Sequence, residues 1–292
     1  MRSLQLTPKT LEIPASLQAA DAVLRRAGGP IEDLAWSVLR DETNLTRIET
    51  VKKTAGLEGD EMERVLIWHA ASLAKLQTES LPIDKSVRAR LDQDLLNLAT
   101  SNKSLLAGSY GFIRAAKIAT LRRFPAGPME WEVSGIPLSY FLRARPAATA
   151  RLAAFVISKM EGRGPCFFMH VAPVPRSRAL SIPKEVMRSY YQMARSMEYQ
   201  PDIRGLLAHA WFHDPAAVRD YPQLEALNRP YVNHGGLITL LDPAPPSSGV
   251  LEGNSQRKED YLAGKIQYRY GLAAWPRAAA IRWADEHPEF GQ

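Results

Sequence analysis

From residue 30 to about residue 123 the apolar positions of the chain recur every three to four residues, the period of a helix with one buried face. The clearest case is 60–80. Asp60 is followed three positions later by Glu63, an arrangement suited to a capping box, and Met62, Val65, Leu66, Leu73 and Leu76 fall near one helical face. Segments 30–39, 45–54, 84–99 and 104–123 carry similar patterns, separated by breakers such as Gly28-Gly29 and Leu81-Pro82. Short helices joined by tight turns predict a helical bundle.

Beyond Pro125-Ala-Gly-Pro128 the pattern shortens. Trp131, Val133, Ile136, Tyr140, Phe141 and Leu142 make a β-prone stretch interrupted by Gly135 and Pro137. Strands are expected at 129–134, 138–144, 165–172, 203–212, 236–241 and 267–275, with helices at 147–161, 182–197, 216–228, 255–263 and 276–287. Strands alternating with helices, and an apolar run at 166–172 that would be buried on both faces, imply an α/β sheet with at least one parallel pair. The chain then divides into a helical domain, 1–125, and an α/β domain, 126–292, whose mixed sheet is flanked by helices; the whole is α+β.

Composition adds limits. The 292 residues are 46% hydrophobic and 23% charged, which is enough to bury a core. No run of eighteen apolar residues is present to span a membrane. The net charge of +6 is dispersed among acids, which is compatible with a phosphate-bearing ligand or RNA, with a solvated surface as the plainer reading. Cys166 is the only cysteine, which excludes an intrachain disulfide and a cysteine zinc site within one chain. A start that lacks the apolar core of a signal peptide, MRSLQLTPKTLEIP, makes cytoplasmic residence the expectation.

The leading candidate for chemistry is the segment from Pro165 to Phe212: a strand, CFFMHVA, a loop, PVPRSRALS, a helix, IPKEVMRSYYQMARSM, and a strand, IRGLLAHAWF. A strand running through a loop into a helix N-terminus makes a cradle for anions, because unpaired helix N–H groups point outward there. Arg176 and Arg178 offer planar forks for phosphate oxygens, Ser181 is a candidate N-cap, and Pro183 is preset for the first helical turn. A capped surface loop with two solvated arginines is the plainer alternative.

This order of elements resembles the GNAT acyltransferase superfamily, in which a central strand leads through a pyrophosphate-binding loop into a helix, and the next strand splays away to admit acyl-CoA. The resemblance covers the C-terminal part of the chain as a topology. It implies acyl-CoA as a co-substrate without a tightly bound cofactor, an amine acceptor, and a donor site at Ala172, Val174, Arg176, Arg178 and Ser181. The superfamily's loop carries glycine where this one reads Arg176-Ser-Arg-Ala-Leu-Ser181. A non-catalytic binding or effector protein of the same topology is therefore a second reading, and an RNA-associated protein a third.

Among titratable groups, His170 shares a strand face with Cys166 and Phe168, and His209 shares one with Leu207 and Trp211, so either is a candidate general base. A hydrogen-bonded core histidine on a buried strand is the plainer reading of each. Tyr268 is a candidate acid for a leaving thiolate. Trp211, Asp214, Asn233 and His234 lie at expected strand ends and loops, where ligands of α/β folds bind, although Asp214 also suits a helix N-cap. Arg257 and Tyr261 belong to a basic and phenolic group near the C-terminus that could face phosphate or simply be an exposed helix face. His209, His213 and Asp214 do not converge along a strand as metal ligands would, so no metal is expected. Cys166, in an apolar strand, is expected to be a poor nucleophile.

Overall fold

The computed structural model describes residues 11–28, 31–40, 45–101, 104–173, 176–245 and 255–292. The chain forms two compact units, Met1–Leu81 with Lys85–Phe124, and Pro82–Asp84 with Pro125–Gln292.

The first unit holds α1 (Gln18–Gly28), α2 (Ile31–Arg40), α3 (Leu45–Ala55), α4 (Glu61–Gln77), α5 (Lys85–Thr100) and α6 (Tyr110–Ala119). Helix α4 is its centre and packs against α2, α5 and α6, burying Met62, Val65, Leu66, Ile67, Ala70 and Ala74. The expected capping box does not form. The Asp60 carboxylate instead accepts from the Leu105 amide at 2.6 Å, and Glu63, fully buried, accepts from Lys52 at 3.0 Å. Leu76 is 46% exposed, because α4 is buried all round only over its first turns. The helix expected at 104–123 begins later, where Ser109 Oγ caps the Phe112 amide at 3.1 Å.

The second unit carries β1 (Arg123–Ala126), inside which the division between units falls, then β2 (Met129–Ser134), α7 (Leu138–Arg143), α8 (Pro146–Lys159), β3 (Cys166–Val171), α9 (Pro183–Glu198), β4 (Gly205–Ala210), α10 (Pro215–Asp220), α11 (Glu225–Asn233), β5 (Leu237–Pro243), α12 (Ser255–Leu262), β6 (Arg269–Pro276) and α13 (Arg277–Glu286). Among the described residues the six strands form one sheet in the order β1-β2-β3-β4-β6-β5. Strand β3 is antiparallel to β2 and parallel to β4, while β6 is antiparallel to both β4 and β5. The architecture is mixed α/β, with the expected parallel pair at β3–β4.

One sheet face packs Cys166, Leu207, Leu237, Leu241, Leu272 and Ala274 under Tyr140 of α7 and Leu152 and Val156 of α8. On the other, Tyr190 of α9 meets Tyr231 and Trp275 edge-on and donates its hydroxyl to the Leu227 carbonyl at 2.8 Å. Such ring pairs stabilise a core beyond the area they bury. Gly205 opens β4 at φ +156, and a Cβ there would lie 2.1 Å from the Trp275 carbonyl oxygen, so the β4–β6 pairing needs glycine at this point.

Three expected elements differ. The segment 138–144 is helical, not extended. Tyr140 is buried while Leu138 and Leu142 are 60% and 85% exposed, a spacing of four in which the two leucines share the outer face. Six residues are too few for periodicity to separate the two states, and packing under β5 decides. The helix expected at 216–228 breaks at Tyr221-Pro222, since Pro222 lacks an N–H and holds Tyr221 extended at φ −133, ψ 77. Strand β4 ends at Ala210, and 211–213 close into a 3-10 turn.

Candidate functional site

Strands β3 and β4 pair at Phe167↔Leu206, Phe168↔Leu207 and Met169↔Ala208, and no further, although both run on for two residues. Their ends are held by different neighbours. Val171 stays with Met129 of β2 and the Ala172 amide donates to the Pro128 carbonyl at 3.0 Å, whereas His209 and Ala210 stay with Leu272 and Gly271 of β6. The strands therefore part, and a cavity of about 130 Å³ opens between them, lined by His170, Val171, His209, Ala210, Phe212 and Leu227 among others. A gap between parallel strands leaves backbone groups unpaired, and those groups can bind a ligand as a further strand would.

The sequence brings His170 and His209 to the two flanks of this opening, on the sheet face covered by α7 and α8. His170 Nε2 lies 3.0 Å from Glu132 Oε1, outside ideal hydrogen-bond alignment but within ion-pair reach. Glu130, paired with His170 across β2–β3, is fully buried, and its Oε1 is 3.4 Å from Arg176 Nη1. The His209 ring packs at a tilt against Tyr270 at 4.3 Å and Tyr140 at 4.9 Å, and Arg143 sits over Tyr270 at 5.7 Å. Burial, and then the Arg143 charge, push the His209 ring down to about 4, so it is neutral at pH 7. Its buried Nε2 has no hydrogen-bond partner among the described residues. Burial also raises the Tyr140 phenol above its ordinary value. One flank thus carries carboxylates and the other a cation.

The segment after β3 is a 3-10 turn, Arg176–Ser181, leading to α9. Arg176 is turned inward: its Nε and Nη2 donate to the Gly127 carbonyl at 3.0 and 2.8 Å, tying the turn to the β1–β2 connection. Ser181 is not the N-cap, a position held by Ile182. The Ser181 hydroxyl donates instead to the Arg178 carbonyl at 2.9 Å. Arg178, Ser181 and Lys184 are exposed around the start of α9, which has no side-chain cap. Ala172 is buried, and Val174 lies outside the described residues. Cys166 is buried beneath α8, and burial pushes its thiol up to about 12.

The remaining expected residues gather elsewhere. Tyr268 does not line the opening: it is 1% exposed, stacks on Trp211 at 5.5 Å and donates its hydroxyl to Asp220 at 2.9 Å, and burial raises it far above an ordinary phenol. Arg257 covers Trp211 at 4.9 Å and Tyr221 at 5.4 Å, and Tyr261 donates to the Ala244 carbonyl at 2.6 Å, so these residues hold α12 onto an aromatic cluster. Asp214 caps α10 through the Ala216 amide at 2.9 Å and accepts from the Arg269 amide at 2.7 Å. Asn233 and His234 line a separate hollow against α13 with Arg282, Trp283 and Glu286.

Sequence reasoning missed Glu130, Glu132, Tyr140, Arg143 and Tyr270. The signal for the first two was present. Met129-Glu-Trp-Glu-Val puts two acids on one face of a strand paired on both sides, where apolar residues are the rule.

No protein-family model matches the chain, and no curated protein matches it. Among solved structures it is similar to an acyltransferase in complex with decanoyl-CoA, at 15% identity over 89% of this chain and 84% of that one, with a TM-score of 0.44. It is also similar to an acyltransferase in complex with decanoyl-CoA and teicoplanin, at 12% identity over 72% of this chain and 65% of that one, with a TM-score of 0.40. Likeness of this extent carries no functional weight by itself. No helix among the described residues is long and apolar enough to cross a membrane.

Proposed function

We propose that the chain is a GNAT-like acyltransferase that takes an acyl group from an acyl-CoA donor and passes it to an amine. The observation that carries this reading is the parting of β3 and β4 with a histidine on each flank. The cavity of about 130 Å³ suits the thioester end of a donor, with the rest lying along the mouth towards α9. There the exposed Arg178 and Lys184 and the uncapped helix start favour phosphate oxygens. Arg176, tied to Gly127, shapes the turn and leaves the donor to its neighbours.

In the reaction an amine nitrogen attacks the thioester carbonyl as its N–H proton passes to His170. The C–N bond forms, the C–S bond breaks, and the thiolate leaves as free CoA after taking the proton that His170 accepted from the amine. Glu132 orients the His170 ring and balances the charge it acquires, the role a carboxylate plays beside a basic histidine. His209, neutral and with an unpartnered Nε2, can donate to the oxygen on which charge develops. The carboxylates on the β2–β3 flank favour a cationic ammonium at the mouth, which loses one proton to solvent before the neutral amine attacks.

The test is release of free thiol from acetyl-CoA and longer acyl-CoAs by the full chain, with a panel of primary amines. Amine-dependent release is expected. Saturable acyl-CoA binding without release under any acceptor would support the non-catalytic reading, to which the glycine-free turn points. Absence of both would end the acyltransferase reading.

A further inference from the structure

Beside the opening, between the end of α7 and the β5–β6 edge, lies a larger cavity of about 520 Å³ that no step of the proposed reaction uses. Its walls carry Arg143, Arg145 and Arg269, with Gln267 and a single acid, Asp242. The guanidinium groups are only partly spent. Arg143 gives its Nε to Asp242 at 2.7 Å, which leaves both terminal nitrogens without a hydrogen bond among the described residues. Arg269 uses Nε and Nη2 on the Leu241 carbonyl, and its Nη1 is free of such bonds. The exposed side chains of Arg145 and Gln267 form none among the described residues.

Three cations against one acid, with several donors left free of protein partners and open to a concave space, are arranged for an anion. A solvated protein surface would disperse such like charges, or pair them. The cavity also adjoins the reaction centre. Arg143 sits over Tyr270 at 5.7 Å, and the Tyr270 ring lies 4.3 Å from the His209 ring, so a ligand anchored here is one aromatic ring away from the strand opening. Leu142, Ala144 and Pro243 add an apolar rim for the carbon that carries the charge.

We infer that this cavity anchors an acidic group, a carboxylate or a phosphate, on the acceptor, so that the acceptors of this protein are amines that also bear an anion. The inference rests on the acyltransferase reading for the word acceptor, but the anion site itself does not. The donor enters on the opposite side of the opening, along α9, so its phosphates are not the anion meant.

The test is calorimetric titration of the full chain with O-phosphoethanolamine, β-alanine and ethanolamine, repeated with excess CoA present. O-phosphoethanolamine or β-alanine, or both, should bind saturably, and ethanolamine should not; whichever acid binds identifies the group. Arg145→Glu and, separately, Gln267→Glu should weaken that binding by roughly tenfold or more, the loss expected for a charge-assisted contact turned repulsive. Both positions are exposed, so melting temperatures should be unchanged. Equal binding of the charged and neutral amines, indifference to both substitutions, or displacement by CoA would overturn the inference. Arg145-dependent binding in a chain that never releases thiol would keep the anion site and remove the acyltransferase reading. Thiol release at equal rates with O-phosphoethanolamine, β-alanine and ethanolamine would do the reverse.

Discussion

His170 on β3 and Glu132 on β2 bring an imidazole nitrogen and a carboxylate oxygen to 3.0 Å at the mouth of the opening between β3 and β4. Across this antiparallel pair Glu132 stands opposite Phe168 and Glu130 opposite His170, so the contact is a diagonal one along a shared face. His170→Gln should lower kcat by about a hundredfold or more, the usual worth of a positioned base. Glu132→Gln should cost less, about tenfold, because the ring keeps its place on the strand and loses only its orienting partner. Neither should change acyl-CoA affinity measured by calorimetry. Full turnover in His170→Gln would remove it from the base role.

The two arginines of the turn after β3 should separate cleanly. Arg176 donates to the Gly127 carbonyl from Nε and Nη2, so Arg176→Ala leaves that carbonyl without its charged partner and should destabilise the second unit by about 2 kcal/mol. Arg178 is exposed, and Arg178→Ala together with Lys184→Ala should leave the urea midpoint unchanged while weakening CoA binding by roughly tenfold. The reverse pattern, lost binding in Arg176→Ala at unchanged stability, would place Arg176 on the donor.

How much of this was legible in the sequence follows from what each residue needs. The apolar run at Cys166–Val171 and the amphipathic α9 announced themselves by period, and the parallel pair followed from the helix between two such strands. The histidines were found because they interrupt apolar strands. Their partners were not, since Glu132, Tyr140 and Tyr270 come from separate elements that meet only through sheet register and the fold of α7 over it. Tyr268 and Tyr270 are indistinguishable by type and neighbourhood in the chain. Tyr268 precedes β6 and joins the Trp211 cluster, whereas Tyr270 lies on the strand and packs its ring beside His209. Arg176 and Arg178, two residues apart, likewise differ only in which one the turn directs towards Gly127.

Gly205 tests the sheet that holds the two histidines apart. A methyl group there would stand 2.1 Å from the Trp275 carbonyl oxygen, a backbone atom that cannot move without opening the β4–β6 ladder, and it would also press on Met160 at 3.1 Å. Gly205→Ala should therefore destabilise the chain by about 3 kcal/mol, in the range of overpacked core sites, and lower activity through a displaced His209. A urea midpoint within error of the parent would mean that the strand start relaxes at little cost.

Two buried rings set the response to mild acid. His213 is 1% exposed, with Nδ1 2.6 Å from Asn228 Oδ1, and burial pushes it down to about 4; His209 is pushed to about the same value by burial and then by Arg143. In the unfolded chain both titrate near the ordinary histidine value of about 6.5. Above that pH neither state holds the protons and these rings add no pH dependence. As pH falls from about 6.5 towards 4, the unfolded chain takes up protons that the folded one refuses, so stability is lost on that descent. Each such proton adds about 1.4 kcal/mol per pH unit to the slope at most. Urea midpoints at pH 7.0, 6.0 and 5.0 should fall in turn, and His213→Gln should flatten the fall by removing one of the two protons. A midpoint constant over that range would show that the rings accept protons in the folded state.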